Sequence, residues 1–165
     1  MAREGDVIGI RTMAAVGCVV LLAGAAYGQS ASWLKGEPEE KFKALAEIQP
    51  GLGTVMMEYS TRFANIFYAA KGGNWDLADY QLKEALEIQE VGETTRPKRA
   101  DALKEFESKY LDPLGAAIKA KDAKAFETAF KAAEDGCNAC HKDQGFPFIR
   151  YELPKAPAMP LSVSP

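Results

Sequence analysis

Apolar residues recur along this chain at alternating intervals of three and four, and no segment shows the apolar–polar alternation of a strand. The clearest run is Leu52, Met56, Tyr59, Phe63, Ile66 and Ala70, which share one face of a helix lying between "PG" and "KGG". Asn74 can cap the next helix, with Asp76 in its first turn, where a negative charge suits the exposed amides. Its inner face is Trp75, Ala78, Leu82, Ala85 and Gln89, widened by Leu77, Leu86 and Ile88, and "VGETTRP" is expected to break it. A third helix starts at about Pro97 and runs through Leu103, Phe106, Tyr110, Leu114 and Ile118, with Pro113 predicting a kink. Asp122 can cap the fourth, whose stripe of Phe126, Phe130 and Ala133 continues at the same spacing into Cys137 and Cys140. A shorter, acidic-started helix in "EPEEKFKALAEIQ" precedes them all.

Four amphipathic helices joined by short polar turns predict an all-α fold, an antiparallel four-helix bundle in which each stripe is hidden against the others. Residues 29–153 form the expected domain. After His141 the prolines multiply, so "GFPFIRYELPKAPAMPLSVSP" reads as an extended tail that docks through Phe146, Phe148, Ile149 and Tyr151. It is then expected to fray, leaving residues 154–165 flexible.

Residues 1–28 differ from the rest. Arg3 and Arg11 carry the positive charge, "TMAAVGCVVLLAGA" is an uncharged apolar run too short for an ordinary membrane span, and small residues precede Gln29. This is the layout of a secretory signal peptide, with an uncleaved anchor as its alternative. The expectation is export to the periplasm and a mature, non-spanning chain that begins near Gln29 and lacks Cys18. The net charge of −3 offers no basic excess for nucleic acid.

Export leaves two cysteines, Cys137 and Cys140, followed at once by His141, the only histidine of the chain. Cys-x-x-Cys-His is the haem c attachment pattern: two thiols add across vinyl groups on one porphyrin edge, and the adjacent imidazole is placed to reach the iron. Structural zinc needs four ligands, more than two cysteines and one histidine supply. A thioredoxin-like redox pair needs strand–helix alternation that the pattern lacks. A disulfide stays open in an oxidising compartment, though it gives His141 no role.

An exported four-helix bundle with "CNACH" near the end of its last helix resembles the class II c-type cytochromes, cytochrome c-prime and its low-spin monohaem relatives, over about residues 38–141. The resemblance implies one covalent haem c per chain, thioethers at Cys137 and Cys140, His141 as the proximal iron ligand, and a distal ligand position on the first long helix. Two departures stand beside it. Gly145 occupies the place, four after the histidine, where cytochrome c-prime usually has a basic residue, and the aromatic tail is longer than the pattern requires.

With no second histidine, the sixth iron position is filled by a methionine or by nothing. "GTVMMEYS" offers Met56, on the inward stripe with Tyr59 and Phe63, and Met57 one step around the helix. Met56 is the favoured ligand, against the alternative of a core filler, and Met159 in the tail is an outside candidate. Tyr59, Phe63 and Phe130 are expected around the haem, with Arg62 or Arg150 near its propionates. These residues predict a one-electron carrier between redox partner proteins, some of them membrane-bound, and not an enzyme. The alternatives are a five-coordinate protein that binds nitric oxide or carbon monoxide, or a haem subunit of a larger respiratory complex docking through its tail. A homodimer stays open.

Overall fold

The computed structural model describes residues 34–160 and 162–165, so the expected signal peptide lies outside the described residues. Among the described residues every regular element is helical and none is a strand. No helix among them is long and apolar enough to cross a membrane. The chain divides at residue 49 into two units.

The first unit contains helix α1, Pro38–Glu47. Pro38 at its first position and a capping box between Glu37 and Glu40 start it, and none of its residues is buried.

The second unit, residues 50–165, is a helical-bundle arrangement. Its elements are α2, Leu52–Lys71, and α3, Trp75–Thr95. A 3-10 turn at Pro97–Arg99 leads into α4, Ala100–Phe106, then a π-helical turn at Glu107–Leu111 and α5, Asp112–Ala120. The last helix is α6, Ala123–Asp143. The two predicted caps form: Asn74 Oδ1 accepts from the Leu77 amide at 3.1 Å, and Asp122 Oδ1 accepts from the Lys124 and Ala125 amides, each at 3.0 Å. Each is worth about 1 kcal/mol.

Two local expectations change. Helix α3 does break within "VGETTRP", but only after Thr95, because Gly92 is a packing residue inside the helix. A Cβ at Gly92 would stand 3.0 Å from Leu52 Cδ1 and 3.2 Å from Val55 Cγ1, so the glycine lets α2 approach α3. Near Pro113, the third predicted helix is divided into α4 and α5 by the π turn, which ends one residue before Asp112. A proline donates no amide hydrogen and crowds the preceding turn, and widening that turn by one residue accommodates both.

The core is built from the predicted stripes. Phe63, Ile66, Leu114, Ile118 and Phe126 are fully buried, each contributing about 1.5–3 kcal/mol of burial free energy. Phe63 stacks on Phe130 with 4.5 Å between ring centroids, and Trp75 meets Phe126 edge-on at 5.9 Å. The tail adds Tyr151 and Leu153 to this core, whereas Phe148 is 78% exposed. Further along, Pro154 O accepts from Tyr68 Oη, the Ala158 amide donates to Asn65 Oδ1 at 3.1 Å, and Ser164 O accepts from Asn74 Nδ2 at 3.3 Å.

Gly136 on α6 faces the Tyr110 ring, where a Cβ would lie 2.6 Å from the nearest ring carbon. Gly136→Ala is therefore expected to lower stability by about 1–3 kcal/mol through overpacking. Gly53→Ala, on an open face of α2 with nothing within 4 Å, should be neutral or stabilising by up to about 1 kcal/mol. Urea midpoints compare the two, and equal midpoints would contradict the close approach.

Candidate functional site

At 100° of turn per residue, Cys137 and His141 lie seven and eleven positions beyond Phe130 and point within about 20° of its direction. The face of α6 that carries aromatic core residues thus carries the Cys-x-x-Cys-His set in its last two turns. There it borders a cavity of about 1060 Å³. Cys137, Cys140 and His141 line it from α6, and Met56, Met57, Tyr59 and Phe63 from α2. Leu103 and Phe106 of α4 continue the apolar wall, and the tail closes it with Phe146, Ile149, Tyr151 and Pro154.

Of the residues expected to attach or surround the haem, Phe130 is not on the wall; it stands behind it, stacked on Phe63. Met56 is half-buried, while Met57 is 72% exposed. Met159 is not a lining residue. Arg62 is engaged elsewhere, with Glu58 at 2.7 Å and Glu84 at 3.6 Å, whereas Arg150 does line the cavity.

Sequence reading missed the other cations of the wall, Arg96, Lys98 and Arg99. Arg99 binds the side chain and carbonyl oxygens of Gln144 and sits 5.4 Å over the Phe146 ring. Arg96 donates to Pro50 O at 2.5 Å. The signal was present as "RPKR", three cations in four residues at a helix junction, but charge alone does not say which face a turn presents.

Both cysteines are free thiols. Burial, reinforced by Cys140 and Glu134, pushes the Cys137 thiol up to about 12. Cys140 is raised for the same first reason, with Asp143 and Glu105 adding to it and Arg99 opposing. Among the described residues no group of three or more histidine, cysteine or acidic side chains is placed to hold a bare metal ion.

His141 Nδ1 lies 3.1 Å from Ile149 O. A carbonyl only accepts, so the neutral ring carries its proton on Nδ1 and keeps its lone pair on Nε2. Two further polar atoms belong to lining residues: the hydroxyls of Tyr59 and Tyr151, both buried without a hydrogen-bond partner. An unmet buried hydroxyl costs about 1–3 kcal/mol. Burial holds both phenols well above their ordinary range, with the Cys137 thiolate as the next contributor.

Comparison with family models, curated proteins and solved structures finds no match to this chain, so the site is read from its own chemistry.

The two thiols should differ in reactivity. In the folded, haem-free chain an alkylating reagent is expected to modify Cys140 at least about 10-fold faster than Cys137, since the thiolate is the nucleophile. Peptide mapping over time reads each site, and denaturant should remove the difference; equal rates in the folded chain would refute the burial argument.

Proposed function

We propose that the unit from residue 50 onward is an exported class II c-type cytochrome, an antiparallel four-helix bundle that passes single electrons between redox partner proteins. The observation that carries the reading is the convergence of Cys137, Cys140 and His141, whose Nε2 is left outside the contact with the Ile149 carbonyl, on one largely apolar cavity. Its volume suits a cofactor-sized guest, since small-molecule and cofactor pockets span about 300–1,000 Å³. The unpartnered Tyr59 and Tyr151 hydroxyls also fit a polar-substituted guest.

When bound, haem c supplies an iron that gains and loses one electron. Cys137 and Cys140 would hold it as thioethers, the sulfur of each going to one carbon of a C=C bond and its hydrogen to the other, so that nothing leaves. His141 would offer Nε2 to the iron. Met56, half-buried on α2, is the candidate sixth ligand; Met57 spends most of its surface on solvent. Arg99 and Arg150 stand on the wall as partners for carboxylate substituents. Phe63, Phe106 and Leu103 keep water away and disfavour the extra positive charge of ferric iron, which moves the potential upward.

A second reading is favoured by one observation. The Tyr59 hydroxyl, buried and unpartnered, is a donor suited to a diatomic ligand such as nitric oxide or carbon monoxide, which would require an open sixth position.

The visible spectrum of the dithionite-reduced protein, before and after carbon monoxide, separates the two. A sharp low-spin spectrum indifferent to the gas is expected, together with a moderately positive midpoint. Met56→Ala should then turn it high-spin and gas-sensitive while Met57→Ala leaves it unchanged. A gas-sensitive wild type would establish the open site instead, and a chain without haem bands after expression with a haem-attachment system would overturn both readings.

A further inference from the structure

Residues 149–151 belong to no helix or strand, yet one of their carbonyls decides which nitrogen of His141 carries the proton. The position of that carbonyl is only as definite as the grip on the segment. The grip comes from Asn138, one turn before His141 on α6. Its Oδ1 accepts from the Tyr151 amide at 2.8 Å, and its Nδ2 donates to Tyr151 O at 3.2 Å. One side-chain amide thus pairs with both backbone groups of a single residue, as a neighbouring strand would. Two residues upstream, Ile149 O meets His141 Nδ1. The Tyr151 ring, edge-on to Phe63 at 5.2 Å, seats the same segment on the core.

We propose that Asn138 is the positioning residue of His141: by clamping Tyr151 it holds Ile149 O in place, locks the Nδ1–H tautomer and presents the Nε2 lone pair at the cavity wall. A neutral imidazole without a fixed partner exchanges its proton between the two nitrogens, so its lone pair has no fixed address. Donation from Nδ1–H also makes Nε2 the more basic atom. For an iron on Nε2, which rests on the haem reading above, the clamp strengthens the ligand and favours the ferric state.

His141 is the sole histidine, so the ring nitrogens of histidine-labelled protein give one unambiguous pair of signals. They are measured first in the haem-free full chain, at alkaline pH with the ring neutral. The wild type is expected to show a protonated Nδ1 and a bare Nε2. Asn138→Ala should shift both signals toward averaged tautomers, and so should Asn138→Asp, which keeps the acceptor for the Tyr151 amide but turns a carboxylate oxygen toward Tyr151 O and Glu134 O, where the amide donated. A wild type protonated at Nε2, or an Asn138→Ala chain with unchanged ring signals, overturns the proposal. Should Asn138→Ala lose its helical circular dichroism, Asn138→Asp decides, and unchanged ring signals there overturn it as well.

In the haem-loaded chain, Asn138→Ala should raise the midpoint potential with the low-spin spectrum intact, and an unchanged potential contradicts the link to iron. A locked tautomer in a chain that takes up no haem supports the clamp and removes the cytochrome reading, so the two fail separately.

Discussion

Phe63 of α2 lies flat on Phe130 of α6, both rings buried, and this stack fixes the rotation of the last helix. Burial of the two rings contributes about 3–6 kcal/mol together, and the stacked geometry adds about 0.5–1.5 kcal/mol. What depends on it is direction. Cys137 and His141 follow Phe130 by whole turns, so a helix turned by one residue, 100°, would carry the thiols and the imidazole away from the cavity. The same Phe63 ring receives Tyr151 edge-on, so the returning tail is referenced to it too. One aromatic ring, through its two contacts, therefore sets the relative positions of three wall segments.

Above that stack the packing rule changes. Protein interiors are close-packed, and side chains facing a void forfeit dispersion contacts on that side. Here Tyr59, Phe63, Phe106 and Leu103 turn toward a cavity of about 1060 Å³, and two phenol hydroxyls nearby are buried without partners. A guest that filled the cavity would return those contacts, and its binding free energy would become folding stability. The aromatic stripes thus serve two ends of one bundle: they interlock between Phe126 and Phe63 and spread apart around Cys137.

Most of the helical layout was legible in the sequence because it is local. The stripe from Leu52 to Ala70, the caps at Asn74 and Asp122, and the run from Phe126 into the cysteines each depend on spacings within one element. What escaped depends on partners far away in the chain. Gly92 reads as a breaker until Leu52 and Val55 are seen against it, and Pro113 announces a disturbance without saying that a π turn absorbs it. At the site, Cys137, Cys140, His141 and Met56 were legible from motif and stripe. The Asn138 clamp was not, since an asparagine at a half-buried helix position looks the same whether it faces water or the Tyr151 backbone. The cations of "RPKR" were visible as charge and invisible as cavity wall, while Arg62, equally visible, is held by Glu58 and Glu84.

The burial that would protect a bound group also obstructs its attachment. With the Cys137 thiol pushed up to about 12, the folded chain holds almost none of it as the nucleophilic thiolate near neutral pH. The desolvation that does this comes from the wall that excludes water. On the haem reading, both demands are met only in sequence: the thiols react while α6 and the tail are still open, and the Phe63–Phe130 stack and the Asn138 clamp close afterwards. The tail suits that order, because its hold on the bundle runs through the paired hydrogen bonds at Asn138, single ones at Asn65, Tyr68 and Asn74, and the Tyr151 and Leu153 side chains. Each link is weak enough to form last, and together they seat the carbonyl that orients His141.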